Sequence, residues 1–174
     1  HWNEMASNAL LDLYLGDAKS ARRRVEEGWV PMSKSLLTRV QLIRFEVHEL
    51  QARTALAAAL VTSGDEREQH LRVAEQYTAK LAKEGLAWTD AIAGLRRAGV
   101  RAARDDKGGA IAEYRGALAA CDAAELGLHA AAARVRLGEL VGGDEGAALV
   151  ETGLVALRAQ DVKKPEAMVA LFAP

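Results

Sequence analysis

The residues best suited to recognition chemistry in this chain of 174 residues are arginines spaced along one predicted helix. Arg97, Arg101 and Arg104 follow one another at intervals of four and three residues, which places them on one face of a helix. Their helix carries four arginines against one acid, Asp90, and so has a net charge of +3. Guanidinium groups in a row suit carboxylate or phosphate groups on a peptide. We therefore predict a binding surface for a protein or peptide partner with acidic groups, which Arg134 on a later helix extends.

An ordinary solvated surface is the alternative interpretation of the same arginines. In that case their guanidinium groups form ion pairs with Glu113 or Glu139 on neighbouring helices. The sequence leaves both interpretations open.

Motifs of the main catalytic classes are absent from the sequence. There is no Gly-Lys-Ser or Gly-Lys-Thr phosphate loop, no His-Arg-Asp or Asp-Phe-Gly kinase motif, and no Gly-x-Ser-x-Gly nucleophile motif. The residues Arg104, Asp105 and Asp106 are better explained as a turn. We predict that this chain is not an enzyme.

Metal ligation is not indicated either. The four histidines are scattered along the chain: His1, His48, His70 and His129. Cys121, Glu125 and His129 have helical spacing, but they share a face only if one helix runs unbroken through Gly127, where we expect a break. The sequence predicts no metal and no cofactor.

Composition and charge argue against nucleic acids and membranes as partners. The formal net charge is −1 and the pI is near 6.5, so no strong field attracts a polyanion or an anionic bilayer. The longest apolar run, residues 55–61, is far shorter than the roughly 20 residues that cross a bilayer. There is no signal peptide pattern, and the single Cys121 fits a reducing compartment. We predict a cytoplasmic location.

Apolar residues recur at intervals of three and four along almost the whole chain, which predicts an all-α fold. Glycines and prolines divide the pattern into eight helices and a short C-terminal one. The expected spans are about 2–15, 17–27, 31–62, 65–84, 89–104, 110–125, 128–141, 144–159 and 165–172. Side chains expected to cap helix starts are Asp17, Asp65, Thr89 and Asp144. The third helix is expected to carry one apolar stripe that begins at Leu36 and Val40.

Gly-Asp turns predict that these helices pair as antiparallel hairpins. The turns are Gly16-Asp17, Gly64-Asp65 and Gly143-Asp144. One amphipathic hairpin cannot cover its own apolar face, so hairpins stack until a continuous core forms. We therefore predict a single domain, residues 1–174, of stacked antiparallel helical hairpins forming an α-solenoid.

The chain resembles tetratricopeptide-type repeats. The resemblance rests on the Leu15-Gly16 and Leu137-Gly138 pairs, on the Gly-Asp turns and on an alanine-rich helix near residues 110–120. No repeat carries the complete signature of the family, and the third helix is too long. Peptide-binding residues of that family therefore cannot be transferred by position.

The whole span also resembles the C-terminal helical region of large bacterial signalling proteins that combine a serine/threonine kinase module with an ATPase module. The similar segments are Leu13 to Asp17, Ser35 to Gln41, Arg136 to Leu140 and Pro165 to Pro174. The resemblance implies that kinase or ATPase activity belongs to a part of the protein before His1. Because the chain opens at His1 rather than Met and is helical from Trp2, we expect a fragment of a longer protein.

Taken together, these patterns predict a protein–protein interaction scaffold that is the regulatory region of a bacterial signalling protein. The alternative is a structural self-association module, in which the repeats stack on neighbouring repeats or on another copy and form a homo-oligomer.

Overall fold

The computed structural model describes residues 2–174, and these residues form helices and turns without any β-strand. The all-α prediction is confirmed, and nine α-helices lie in the described part of the chain, as expected. They are α1 (Trp2–Tyr14), α2 (Ala18–Ser33), α3 (Gln41–Leu60), α4 (Gly64–Leu81), α5 (Ala87–Ala103), α6 (Lys107–Ala123), α7 (Gly127–Val141), α8 (Gly143–Arg158) and α9 (Pro165–Phe172). A short 3₁₀ helix, Leu36–Arg39, precedes α3.

The chain divides into two compact units, His1–Glu84 and Gly85–Pro174. Each unit contains two pairs of consecutive helices that pack against one another. The prediction of a single solenoid domain over residues 1–174 stays a prediction.

In the N-terminal unit, α3 is the most deeply placed helix. It contacts α1, α2 and α4, and every residue from 49 to 59 is buried. Burial on all sides includes polar groups, so these groups need partners inside the protein. Glu49 and Arg53 form an ion pair one turn apart at 2.8 Å, and Gln51 accepts a hydrogen bond of 2.7 Å from Arg22 of α2.

In the C-terminal unit, α5 packs on α6 and α7 packs on α8, while α6 also contacts α7. The short α9 lies against α7 and α8. Leu95, Tyr114, Val135, Leu157 and Val169 contribute to the core of this unit.

The interruption expected at Gly28 to Pro31 was wrong, because α2 continues to Ser33 with Pro31 inside its last turn. Tertiary packing holds this stretch in the helix. Gly28 lies so close to α1 that a Cβ atom there would be 2.9 Å from Cε of Met5. The Trp29 ring packs edge to face on Tyr77 of α4, with ring centroids 6.0 Å apart.

The start of the third helix was also predicted wrongly. Leu36 belongs to the 3₁₀ helix, whose start is capped by the Ser35 hydroxyl, and Val40 precedes the first residue of α3. Their side chains are 69% and 52% exposed, so the first two positions of the expected stripe lie outside the core.

The predicted caps had mixed outcomes. Asp17 accepts a hydrogen bond of 3.0 Å from the backbone N–H of Ser20, as expected. Asp65 and Asp144 do not cap, because α4 begins at Gly64 and α8 begins at Gly143, and each aspartate lies within the first turn. Thr89 acts from inside the first turn of α5, where its hydroxyl accepts from the backbone N–H of Leu86 at 3.2 Å.

None of the helices formed by residues 2–174 combines the length and the apolar character that crossing a bilayer requires.

Candidate partner-binding cleft

One face of α5 carries the residues that begin the candidate site. Asp90, Gly94, Arg97 and Arg101 follow at intervals of four, three and four residues, so they form a single stripe along the helix. Leu95, which faces the other way, is buried in the core of the unit. The core fixes the rotation of α5 and thereby turns this stripe outward.

The adjacent face of α6 is made almost entirely of small residues. Gly109, Ala112, Gly116, Ala117 and Ala120 line it. The two helices approach closely, since a Cβ atom on Gly94 would lie 3.4 Å from Cβ of Ala117. The result is an open cleft of about 560 Å³ along the α5–α6 hairpin. We call it the α5–α6 cleft.

Glu113 of α6 holds both cleft arginines in place. Its Oε2 lies 3.2 Å from Nε of Arg97, and its Oε1 lies 3.6 Å from Nε of Arg101. Nη1 of Arg101 donates to Oδ2 of Asp106 at 2.6 Å. This hydrogen bond raises the pKa of Arg101, so the guanidinium stays charged.

Asp106 also caps the N-terminus of α6, at the end of the cleft. Its Oδ1 accepts a hydrogen bond of 2.9 Å from the backbone N–H of Gly109 and so caps α6. That backbone bond, together with the bond from Arg101, lowers the pKa of Asp106. Because of this cap, α6 begins at Lys107, earlier than expected.

The terminal nitrogens of Arg97 make no hydrogen bond or ion pair within residues 2–174, since only its Nε contacts Glu113. Its Nη2 lies over the bare backbone of Gly94, 3.5 Å from the place a Cβ atom would occupy. The guanidinium is thus oriented by one carboxylate and still presents N–H donors to the cleft. A second carboxylate can accept these donors in the two-pronged geometry that arginine favours.

The structure brings together two of the four predicted site residues. Arg104 caps the C-terminus of α5, is exposed and does not line the cleft. Arg134 lies on α7 and contacts Asp122 of α6 at 3.3 Å. Asp122 follows Glu113 by nine residues, which is half a turn out of phase, so Arg134 lies on the opposite side of α6 from the cleft.

Two features of the α5–α6 hairpin were not predicted from the sequence: the burial of Arg96 and the orienting role of the ion pairs to Glu113. Arg96, one of the four arginines counted on this helix, is fully buried. Its position four residues after the buried Ile92 is the signal that could have shown this. The ion pairs to Glu113 were foreseen as an alternative to binding, whereas in the structure they orient the arginines that line the cleft.

Metal-binding and nucleophilic groups form no comparable cluster. No group of three or more histidine, cysteine or acidic side chains suited to a metal occurs within residues 2–174. Cys121 and His129 belong to different helices, because α6 ends at Ala123 and α7 begins at Gly127. Burial raises the pKa of the Cys121 thiol to about 11, which keeps it protonated.

The class of protein defined by the fold is an all-α chain of consecutive helical pairs with an arginine-bearing cleft on one of them. Comparison of the chain with protein-family models, with curated proteins and with solved structures found no match.

Proposed function

We propose that this chain is a protein–protein interaction scaffold that binds a carboxylate-bearing segment of a partner protein in the α5–α6 cleft. The observation that carries the proposal is the orientation of Arg97. Glu113 fixes its Nε, while its terminal nitrogens remain free to donate within the described residues. An arginine held in this way loses less side-chain entropy on binding than one that must first be ordered.

Charge balance in the cleft favours a partner with mixed charges over a polyanion. Arg97 and Arg101 are matched by Glu113 and Asp106, and Asp90 lies further along the stripe. The cleft therefore lacks the excess positive charge that concentrates phosphates from a distance. A cleft without excess positive charge is better suited to short-range recognition, through hydrogen bonds from guanidinium groups to a carboxylate, than to long-range attraction of a polyanion.

Binding of defined peptides tests the proposal. The probes are short alanine-rich peptides, blocked at both ends, that carry two glutamates, two glutamines or two lysines. We expect the glutamate peptide to shift the NMR signals of the Arg97 and Arg101 side chains, and we expect the other two to leave them unchanged. Equal shifts with all three peptides would contradict carboxylate recognition.

A charge reversal with a matched control links binding to the cleft. Arg97→Glu should weaken binding of the glutamate peptide about tenfold or more, which corresponds to ~1.4 kcal/mol. Arg158→Glu makes the same change on α8, where Arg158 is exposed and pairs with Glu151. It should leave the affinity unchanged. The same loss in both variants would show that net charge, and not the cleft, governs binding.

The setting of this function is part of the proposal. Consecutive helical pairs, together with the Leu15-Gly16 and Leu137-Gly138 pairs, support tetratricopeptide-like repeats stacked as a solenoid. The segment resemblances support a regulatory region of a cytoplasmic bacterial signalling protein, with any kinase or ATPase activity in another part of it. A kinase signature in the coding sequence before His1 would support this assignment, and a different upstream domain would contradict it.

Self-association is the second candidate, and one observation favours it. Large aliphatic side chains are exposed close together in the sequence at Val30, Leu36, Leu37, Val40 and Leu42. Exposed apolar patches are typical of interaction surfaces. If a second copy covers this patch, sedimentation velocity should show a dimer that Leu36→Asp converts to monomer. A monomer at all concentrations would exclude this candidate.

A further inference from the structure

The two walls of the α5–α6 cleft share a heptad-like spacing. On α5 the stripe is Asp90, Gly94, Arg97 and Arg101, and on α6 it is Gly109, Glu113, Gly116 and Ala120. Both stripes advance by four, three and four residues, the spacing that repeats along coiled-coil seams. Each helix therefore has one seam in the core and a second seam that faces outward.

We propose that the occupant of the cleft is an α-helix of the partner protein, with an acidic side chain against Arg97 and Arg101 and a basic side chain against Asp90. This inference rests on the proposed function and names its ligand. Side chains on one face of a helix recur at every turn, about 5.4 Å apart. The stripes on α5 and α6 have the same repeat, so the side chains of a bound helix stay in step with both. An extended chain presents alternate residues about 6.6 Å apart and falls out of step with them.

Small residues give the incoming helix room to approach. The floor of the cleft is made of Gly94, Gly116 and Ala117, and no atom lies within 4 Å of the place a Cβ atom would occupy on Gly116. Side chains of a third helix can therefore enter the groove between α5 and α6 as knobs enter holes.

Charges give the cleft two different ends. Asp90 lies in the first turn of α5 and makes no ion pair within residues 2–174, whereas Arg101 lies eleven residues later on the same face. Eleven residues are about three turns, or roughly 16 Å. A helix with a basic and an acidic residue at the same spacing meets an opposite charge at both ends. Complementary charges of this kind set orientation and partner choice.

Three peptides of equal net charge distinguish a helical occupant from an extended one. The first carries Lys and Glu eleven residues apart on a helix stabilised by a side-chain crosslink, and the second has the same pair on opposite faces of that helix. The third places the pair four residues apart in a proline-containing chain that cannot form a helix, which puts both charges on one side of an extended strand, about 13 Å apart. We expect the first to bind with at least tenfold higher affinity than either of the others.

Variants of the protein test whether the peptides bind in the α5–α6 cleft. Gly116→Leu should abolish binding of the first peptide, because leucine fills the cleft at an exposed position where the backbone remains unstrained. Asp90→Lys should weaken binding of the Lys and Glu peptide and strengthen binding of a peptide with Glu at both positions. If the Asp90→Lys variant unfolds, Asp90→Asn tests the same loss of binding to the Lys and Glu peptide without adding a positive charge at the helix start. Arg158→Glu is the control and should bind like the wild type.

The outcomes distinguish the two proposals. If the proline-containing peptide binds best and Arg97→Glu abolishes this binding, the helical occupant is overturned while the scaffold function stands. If no peptide depends on Arg97 or Gly116, both proposals fail. A dimer of the chain that dissociates in Gly116→Leu would identify a second copy as the occupant and would also overturn a partner helix.

Discussion

Gly138 and Gly146 face each other across the α7–α8 hairpin at a distance that excludes any side chain. A Cβ atom on Gly138 would lie 2.5 Å from the carbonyl oxygen of Gly146 and 2.9 Å from Cγ2 of Val150. Gly153, two turns further along α8, also lies close to α7. A Cβ atom on Gly153 would be 2.6 Å from Cγ2 of Val135. Backbone contact along this seam brings the helices of the hairpin close together.

Alanine substitution in the seam should therefore destabilise the fold. Gly138→Ala forces the two backbones apart, and we expect a loss of about 1–3 kcal/mol in the free energy of unfolding. The measurement is urea denaturation followed by circular dichroism at 222 nm.

Gly116→Ala is the matched control for the seam. Gly116 is helical and exposed, with open space where a Cβ atom would lie. Alanine should stabilise the protein there by up to about 1 kcal/mol, because it favours the helix more than glycine does. A stabilising effect of Gly138→Ala would show that the seam is more open than the structure indicates.

Turn chemistry made much of the fold predictable. The ends of α1 and α7 depend on local backbone conformation, because Gly16 and Gly142 follow them with φ of +84° and +73°, where glycine is favoured. The end expected for α4 at Gly85 was wrong, since α4 ends at Leu81. The boundary error at Pro31 arose because tertiary contacts override local preference. Pro31 remains in α2 because Gly28 and Trp29 pack on other helices, and no local pattern reveals those partners.

The candidate site was predictable only along one helix. The spacing of Arg97 and Arg101 showed that they share a face of α5, and the structure places both in the cleft. The expected extension to Arg134 depended on the rotation of α6 and α7 about their axes. Core contacts such as those of Tyr114 set that rotation, and helical spacing within one segment carries no information about it.

Two buried threonines should respond differently to the same substitution. The Thr89 hydroxyl accepts from the backbone N–H of Leu86 and donates to its carbonyl oxygen at 2.8 Å. Thr89→Val removes both bonds at nearly constant volume and should cost about 1–2 kcal/mol. The Thr78 hydroxyl is buried and makes no hydrogen bond within the described chain, so Thr78→Val should be neutral or stabilising.

Thermal denaturation of the two variants gives a direct comparison. We expect a lower Tm for Thr89→Val and an equal or higher Tm for Thr78→Val. Equal destabilisation by both changes would show that the Thr78 hydroxyl has a partner in solution, such as a bound water.

Cys121 should be unreactive in the folded protein. Burial, with a smaller contribution from Asp122, raises the pKa of its thiol from 9.0 to about 11. This shift alone lowers the thiolate fraction about 100-fold at neutral pH. We expect a thiol reagent such as DTNB to react slowly with native protein and rapidly in denaturant. Equal rates in both conditions would indicate that α6 opens readily at this position.

Acid should destabilise the N-terminal unit through His48. Its imidazole packs beside Tyr77, with ring centroids 5.6 Å apart, and its Nδ1 lies 4.0 Å from Oε1 of Glu84. The pKa of His48 is lowered to about 4, and burial is the largest cause. Positive charge on Lys80 and Arg44 contributes to this lowering, and Glu84 acts in the opposite direction.

The sign of the pH effect follows from proton uptake. Between pH 6.5 and 4 the unfolded chain carries a proton on His48 and the folded chain does not, so stability falls as the pH is lowered through this range. The expected loss by pH 5 is on the order of 1–2 kcal/mol. His48→Phe keeps a ring beside Tyr77 and should remove this dependence.

Glu84 contributes separately at lower pH. The hydrogen bonds from Arg44, at 2.6 Å and 2.7 Å, lower the pKa of this carboxyl below its ordinary value of 4.5. Its stabilising effect is therefore complete above pH 4.5 and is lost as the pH falls through the lowered pKa. Urea titrations from pH 7 to pH 4.5 should thus isolate His48. If His48→Phe shows the same slope as the wild type in that window, His48 is accessible to protons in the folded state, and another group causes the acid sensitivity.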